Sequence, residues 1–210
     1  MSVLDMEQAR QTERLRLARD LHDDLGSRLT HLSLVADLAS LEGGSAVAPL
    51  QTLRDGLRNA IGSLDEIVWT VDPRRDTLAD LAEYLMASTA GMLRDGGVHC
   101  TVEPGGPLPS LLVTSEQRHQ LLMAVREAAQ NVLKHARAPY AAISCALTED
   151  VFSFRLSDSG EGFDPASVSA GDGLQNIRER LAAAGGTVEI SAAPGEGCRI
   201  SIRLPVSSHA

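Results

Sequence analysis

Pro73 separates two kinds of sequence, and the segment before it restricts the fold most. From about residue 5 to Leu41, Ala18, Leu25, Leu29, Leu32, Ala36 and Ala39 recur at helical steps of three, four or seven. That spacing lines one side of an α-helix. After a turn at "EGGSAVAP", Leu50, Leu53, Leu57, Ile61, Leu64, Ile67 and Val71 repeat the pattern up to "DPRRD". There Pro73, which has no amide hydrogen, stops the helix. Two helices with one apolar stripe each make an antiparallel hairpin that cannot enclose a core alone. The simplest completion is a second copy, giving a four-helix bundle and a homodimer. A monomeric hairpin packed on the downstream sequence would satisfy the same stripe.

Composition bounds the function. In 210 residues, 43% of them apolar, there is room for one large domain or two modest ones. A formal net charge of -9 with no dense Lys/Arg cluster argues against a nucleic-acid surface, which needs positive charge to neutralise phosphates. Cys100, Cys145 and Cys198 are far apart without C-x-x-C spacing, so neither a disulfide framework nor a zinc site is indicated, and a reducing cytosol fits best. No apolar run approaches the roughly 20 residues of a membrane-spanning helix. The opening "MSVLDMEQARQTERLR" has no signal-peptide pattern and no clear helix cap, as expected of a soluble fragment cut from a longer helix. Any membrane attachment would then come through a missing upstream region.

Beyond residue 75 the pattern mixes helices and strands. The spacing predicts a helix at about 77–94 ending at "DGG", a strand in "VHCTVE", and a long helix at about 115–137 behind Thr114 as N-cap. Next come a hairpin from "YAAISCALTED" and "VFSFRLSDSG", a helix near 174–184, and a strand pair, "TVEISAAP" and "CRISIRLP". Helices segregated from an antiparallel or mixed sheet make an α+β layer.

Three stretches here carry chemistry. In "LLMAVREAAQNVLKHARA", Glu127, Asn131 and Lys134 fall at i, i+4 and i+7 on one polar face, with Leu121, Leu122, Val125, Ala129 and Val132 making the apolar remainder. The face reads as solvated surface or as a place for hydrated Mg²⁺ and phosphate, since hard cations take carboxamide, water and phosphate oxygens. In "LSDSGEGFDP", a strand runs into Asp158, Gly160 and Gly162. This is either a tight turn or a backbone that approaches a flat ligand while Asp158 accepts from an exocyclic amine. In "GDGLQNIRERL", Gly171 and Gly173 lead through Leu174 into a helix whose first amides can bind an anion. No phosphate-binding G-x-x-x-x-G-K-[ST] loop is present.

The hairpin adds a fourth feature, "ARDLHDDLGSRLTHL", where His22 stands among Asp20, Asp23 and Asp24. A carboxylate beside an imidazole can orient it and take its proton, and a solvated charge cluster looks the same.

A Glu/Asn helix, then strand-Asp-x-Gly-x-Gly, then a glycine pair opening a helix, resembles the N box and glycine boxes of the GHKL ATP-binding superfamily. Joined to "ERLRLARDLHDDLGSRL" and "DEIVWTVDPRRDTLADLAEYL", the chain resembles two-component sensor histidine kinases of the nitrate-sensor-like class over nearly its whole length. The resemblance implies residues 1–75 as a dimerisation and histidine phosphotransfer domain forming a dimeric four-helix bundle. Residues 76–210 would be an ATP-binding Bergerat fold, a mixed sheet with helices on one face. It implies His22 as phospho-acceptor, Asp23 as general base, Asp158 as reader of adenine, Asn131 as Mg²⁺ ligand, Glu127 as helper of the metal or its water, and Lys134 as a phosphate contact. Gly160, Gly162, Gly171, Gly173 and Leu174 would line the nucleotide. The phosphoryl group would pass to an Asp of a response regulator receiver domain.

Two residues depart from that class. Ser27 stands where phosphatase-competent members often carry Gln, and Cys198 stands where many GHKL proteins carry a Thr or Ser that binds adenine through water. The expectation is an active kinase with weak phosphatase activity. Two other readings are a silent dimeric nucleotide-sensing module and an anti-sigma-type serine kinase, which would have no use for the His22 hairpin.

Overall fold

The structure, a computed structural model, describes residues 56, 75–103, 105–164 and 172–206. The predicted hairpin and bundle, with His22, Asp23 and Ser27, lie outside the described residues, as does Gly171. The chain divides into two compact units, Met1–Arg74 and Arg75–Ala210, and the following concerns the second.

Helix α1 (Leu78–Asp95) starts where extended Thr77 accepts the Asp80 amide on its hydroxyl, and it buries Leu78, Leu81, Leu85 and Leu93. Strand β1 (His99–Val102) leads to helix α2 (Ser115–Asn131), whose N-cap Thr114 forms a reciprocal capping box with Gln117. The apolar side of α2 buries Leu121, Leu122, Val125, Ala128 and Ala129. The expectation of one helix to residue 137 is corrected at its end: α2 widens after Asn131 into a π-helical turn, Val132–Ala136, and stops at Arg137 in the left-handed region at φ 51. The wide turn frees the Ala136 carbonyl, which accepts from the Glu161 amide at 2.9 Å.

Strands β2 (Tyr140–Thr148) and β3 (Val151–Asp158) form a hairpin whose two turn residues, Glu149 and Asp150, both have positive φ. That is the turn geometry that matches strand twist. Helix α3 (Asp172–Ala183) is followed by β4 (Thr187–Ala192) and β5 (Cys198–Pro205). The five strands run in the order β1-β2-β3-β5-β4, with β1 parallel to β2 and the other pairs antiparallel. Alternate residues of the central strands, among them Ile143, Phe152, Phe154, Leu156, Ile200 and Ile202, are buried on one face, while Arg155, Arg199 and Arg203 between them are exposed. Each large apolar side chain taken from water contributes about 1.5–3 kcal/mol. The layer is mixed sheet plus helices, as the sequence predicts. Its consequence for function is that the C-terminal end of α2, the end of β3 and the start of β5 come to one level.

Candidate functional site

At that level lies a cavity of about 520 Å³. One wall is helical. Glu127 and Asn131, one turn apart on α2, face it together with Lys134 and His135 from the wide turn. The opposite wall is strand and loop: Asp158, Gly162, Phe163, Cys198 and Ile200. Gly173 and Leu174, in the first turn of α3, also line it.

Asp158 ends β3, in register with Ala141 on β2 and Cys198 on β5. Its carboxylate is half-buried, and Oδ1 accepts from the Gly160 amide at 2.8 Å. Burial raises its pKa above the ordinary value, while backbone N–H groups of Gly160 and Cys198 pull it back. Burial, and then the Asp158 charge, push the Cys198 thiol up to about 11. A thiol so placed stays protonated at neutral pH.

The glycines matter through what a side chain would strike. A Cβ at Gly160 would collide with the Ala136 carbonyl, and one at Gly162, whose φ is +60, with the Ala193 carbonyl. At Gly173 a Cβ would lie 2.6 Å from Glu127 Oε1 and 3.4 Å from Asn131 Oδ1. The start of α3 therefore comes close to Glu127 and Asn131, and a glycine there leaves those two side chains room.

Of the residues singled out from sequence, Glu127, Asn131, Lys134, Asp158, Gly162, Gly173 and Leu174 line one cavity. Gly160 is buried behind Asp158 against the wide turn and is not a lining residue. Sequence reasoning missed His135 and Phe163. His135 lies eight residues after Glu127, so extending the polar face by one more helical step would have found it. Buried Arg118 was missed too, because a guanidinium in a first helical turn looks solvated.

Comparison with known proteins identifies the family. A family described as "Histidine kinase" matches residues 13–76, and one described as "Histidine kinase-, DNA gyrase B-, and HSP90-like ATPase" matches residues 116–208. The chain belongs to the sensor histidine kinases. Within that family it is similar to the nitrate/nitrite sensor protein NarQ of Escherichia coli, 30% identical over 90% of this chain and 34% of NarQ. It is also similar to the histidine-protein kinase/phosphatase UhpB of Salmonella typhimurium, 28% identical over 90% of this chain and 38% of UhpB. This sensor histidine kinase sequence thus spans little more than a third of the length of those two relatives. Solved structures agree on the fold. The histidine kinase domain of the Erythrobacter litoralis EL346 blue-light activated kinase superposes with a TM-score of 0.54 at 13% identity, covering 93% of this chain and 94% of that one. The ATP binding domain of PrrB from Mycobacterium tuberculosis covers 63% of this chain and 96% of that one, with a TM-score of 0.50 at 22% identity. The match over residues 13–76 favours the histidine kinase reading over an anti-sigma-type serine kinase. Among the described residues no helix is long and apolar enough to cross a membrane.

Proposed function

We propose that this chain is the cytoplasmic kinase core of a sensor histidine kinase, with residues 1–75 as dimerisation and phosphotransfer domain and 76–210 as ATP-binding domain. The observation that carries the reading is the meeting of Glu127, Asn131, Lys134 and Asp158 in one cavity. Asp158 accepts a hydrogen bond from the adenine amine; guanine, with an acceptor there, leaves the carboxylate unpaired. Glu127 and Asn131 offer a carboxylate and a carboxamide oxygen one turn apart, hard donors of the kind Mg²⁺ takes, and the absence of a Cβ at Gly173 keeps the space beside them open. Bound Mg²⁺ would neutralise phosphate charge there. Lys134, the chain's only lysine, adds an ammonium to the same end. His22 attacks the γ-phosphorus, the bond to the ADP oxygen breaks, and Asp23 takes the imidazole proton. The phosphoryl group then moves to an aspartate of a receiver domain, and a homodimer supplies the bundle that holds His22.

The test is incubation of the chain with labelled ATP and Mg²⁺, followed by assay for an acid-labile, base-stable phosphate. His22→Gln should abolish labelling and leave the ATP dissociation constant unchanged. Wild-type labelling of that variant would remove His22 as acceptor.

A further inference from the structure

Arg118 is the largest fully buried side chain of the described residues, and nothing in the nucleotide cavity uses it. It sits in the first turn of α2, and its guanidinium is turned to the segment that opens the second unit. Nη1 donates to the Arg75 carbonyl at 2.7 Å, and Nη2 lies 2.8 Å from Asp76 Oδ1 and 3.2 Å from Ser115 Oγ. The same segment is fastened by backbone on its other side. Leu78 N donates to Leu111 O at 2.7 Å, Val113 N donates to Asp76 O at 2.8 Å, and Thr77 bridges Leu112.

A charge taken wholly out of water is poor value for stability, because well-packed apolar side chains of similar volume hold a core as well or better. What a paired guanidinium does supply is a single geometry, through a planar fork that fits one arrangement of carbonyl and carboxylate. Here that arrangement joins residues 75–77 to α2 itself. Asn131 stands at the other end of this helix, 13 residues from Arg118, about 20 Å at the helical rise.

We propose that Arg118 is a positioning residue: with Asp76 it makes residues 75–77 one rigid piece with the nucleotide-bearing helix. This rests on the kinase reading for its consequence, that delivery of phosphate to His22 depends on a residue which touches no nucleotide. It rests only on the geometry for the clamp.

The experiment uses the whole chain with Asp76→Asn, Arg118→Met and Arg118→Lys. Amide hydrogen exchange comes first. Exchange at Leu78 and Val113 should speed at least tenfold in Asp76→Asn while Leu122 and Val125 in α2 stay protected. Unchanged exchange at Leu78 and Val113 overturns the clamp, and so does loss of protection throughout α2, which would make Arg118 part of the general core. Autophosphorylation is the second measurement. The ATP dissociation constant should stay within twofold, the rate at saturating ATP should fall at least tenfold in Asp76→Asn and Arg118→Met, and Arg118→Lys should recover part of it. Rate and affinity falling together would overturn the positioning role. A wild-type chain that takes no phosphate from ATP would end the kinase reading, and the exchange result would still decide the clamp.

Discussion

The two walls of the cavity are built by opposite means. On the α2 side, helical spacing presents the polar side chains of Glu127 and Asn131, and the wide turn adds those of Lys134 and His135. On the β3 side, besides the side chains of Asp158 and Cys198, main chain is brought so close that carbonyls of Ala136 and Ala193 occupy the space where side chains of residues 160 and 162 would start. Substitutions on the helical wall should therefore cost ligand and spare the fold. On the loop wall they should cost the fold first.

The sharpest way to break this contrast is Gly160→Ala. Its Cβ meets a backbone carbonyl that cannot rotate away, so the expected loss is about 2–4 kcal/mol of unfolding free energy, read by thermal or urea denaturation. An unchanged melting temperature would show that the loop yields freely and that the two walls do not differ.

Asp158→Asn comes next in size and tests the one loop-wall side chain that behaves like the helical wall. It should weaken ATP binding by about 1–3 kcal/mol in a calorimetric titration, with little change in melting. The pH dependence sharpens the point. Burial raises the folded pKa of Asp158 above the ordinary 3.8, so the folded state keeps this proton longer than the unfolded chain. Its contribution to stability is present below 3.8 and is lost as pH rises through the raised value. Adenine binding works in the other direction, since the amine selects the carboxylate. ATP affinity should therefore climb more steeply with pH over the same window in the wild type than in Asp158→Asn.

Cys198→Ser should have the smallest effect. A hydroxyl is the better hydrogen-bonding group, so ATP affinity should improve by less than about 1 kcal/mol. The thiol itself, held up to about 11, should react with iodoacetamide at pH 8 more slowly than an ordinary cysteine. Reaction at the ordinary rate would show that the cavity wall is wetter than its burial implies.

The same contrast governs what was legible in the sequence. Glu127, Asn131 and Lys134 could be read because helical spacing is local, and Thr114 could be read because a capping box closes within three residues. The loop wall could be read only as a pattern of glycines: the carbonyl that makes Gly160 obligatory belongs to Ala136, on another element, and no spacing rule connects them. The wide turn after Asn131 was illegible for the same reason, since its last carbonyl is claimed by Glu161. Arg118 was the hardest of all. Its carbonyl partner, Arg75, lies 43 residues upstream, and only the folded chain turns an apparently solvated guanidinium into the largest fully buried side chain of the described residues.

Glu161 sits between the two glycines, with its amide donating to Ala136 and its carbonyl accepting from Gly195 at 2.6 Å, while its side chain is exposed and meets Arg137 at 3.0 Å. The peptide unit is structural and the side chain is close to dispensable, because an exposed ion pair contributes little. A library of all substitutions over residues 160–162 should therefore record a profile alternating in tolerance: almost nothing accepted at 160, nearly everything except proline at 161, almost nothing again at 162. In such a profile the middle position would look unimportant, although its backbone joins the helical turn to the β4–β5 hairpin.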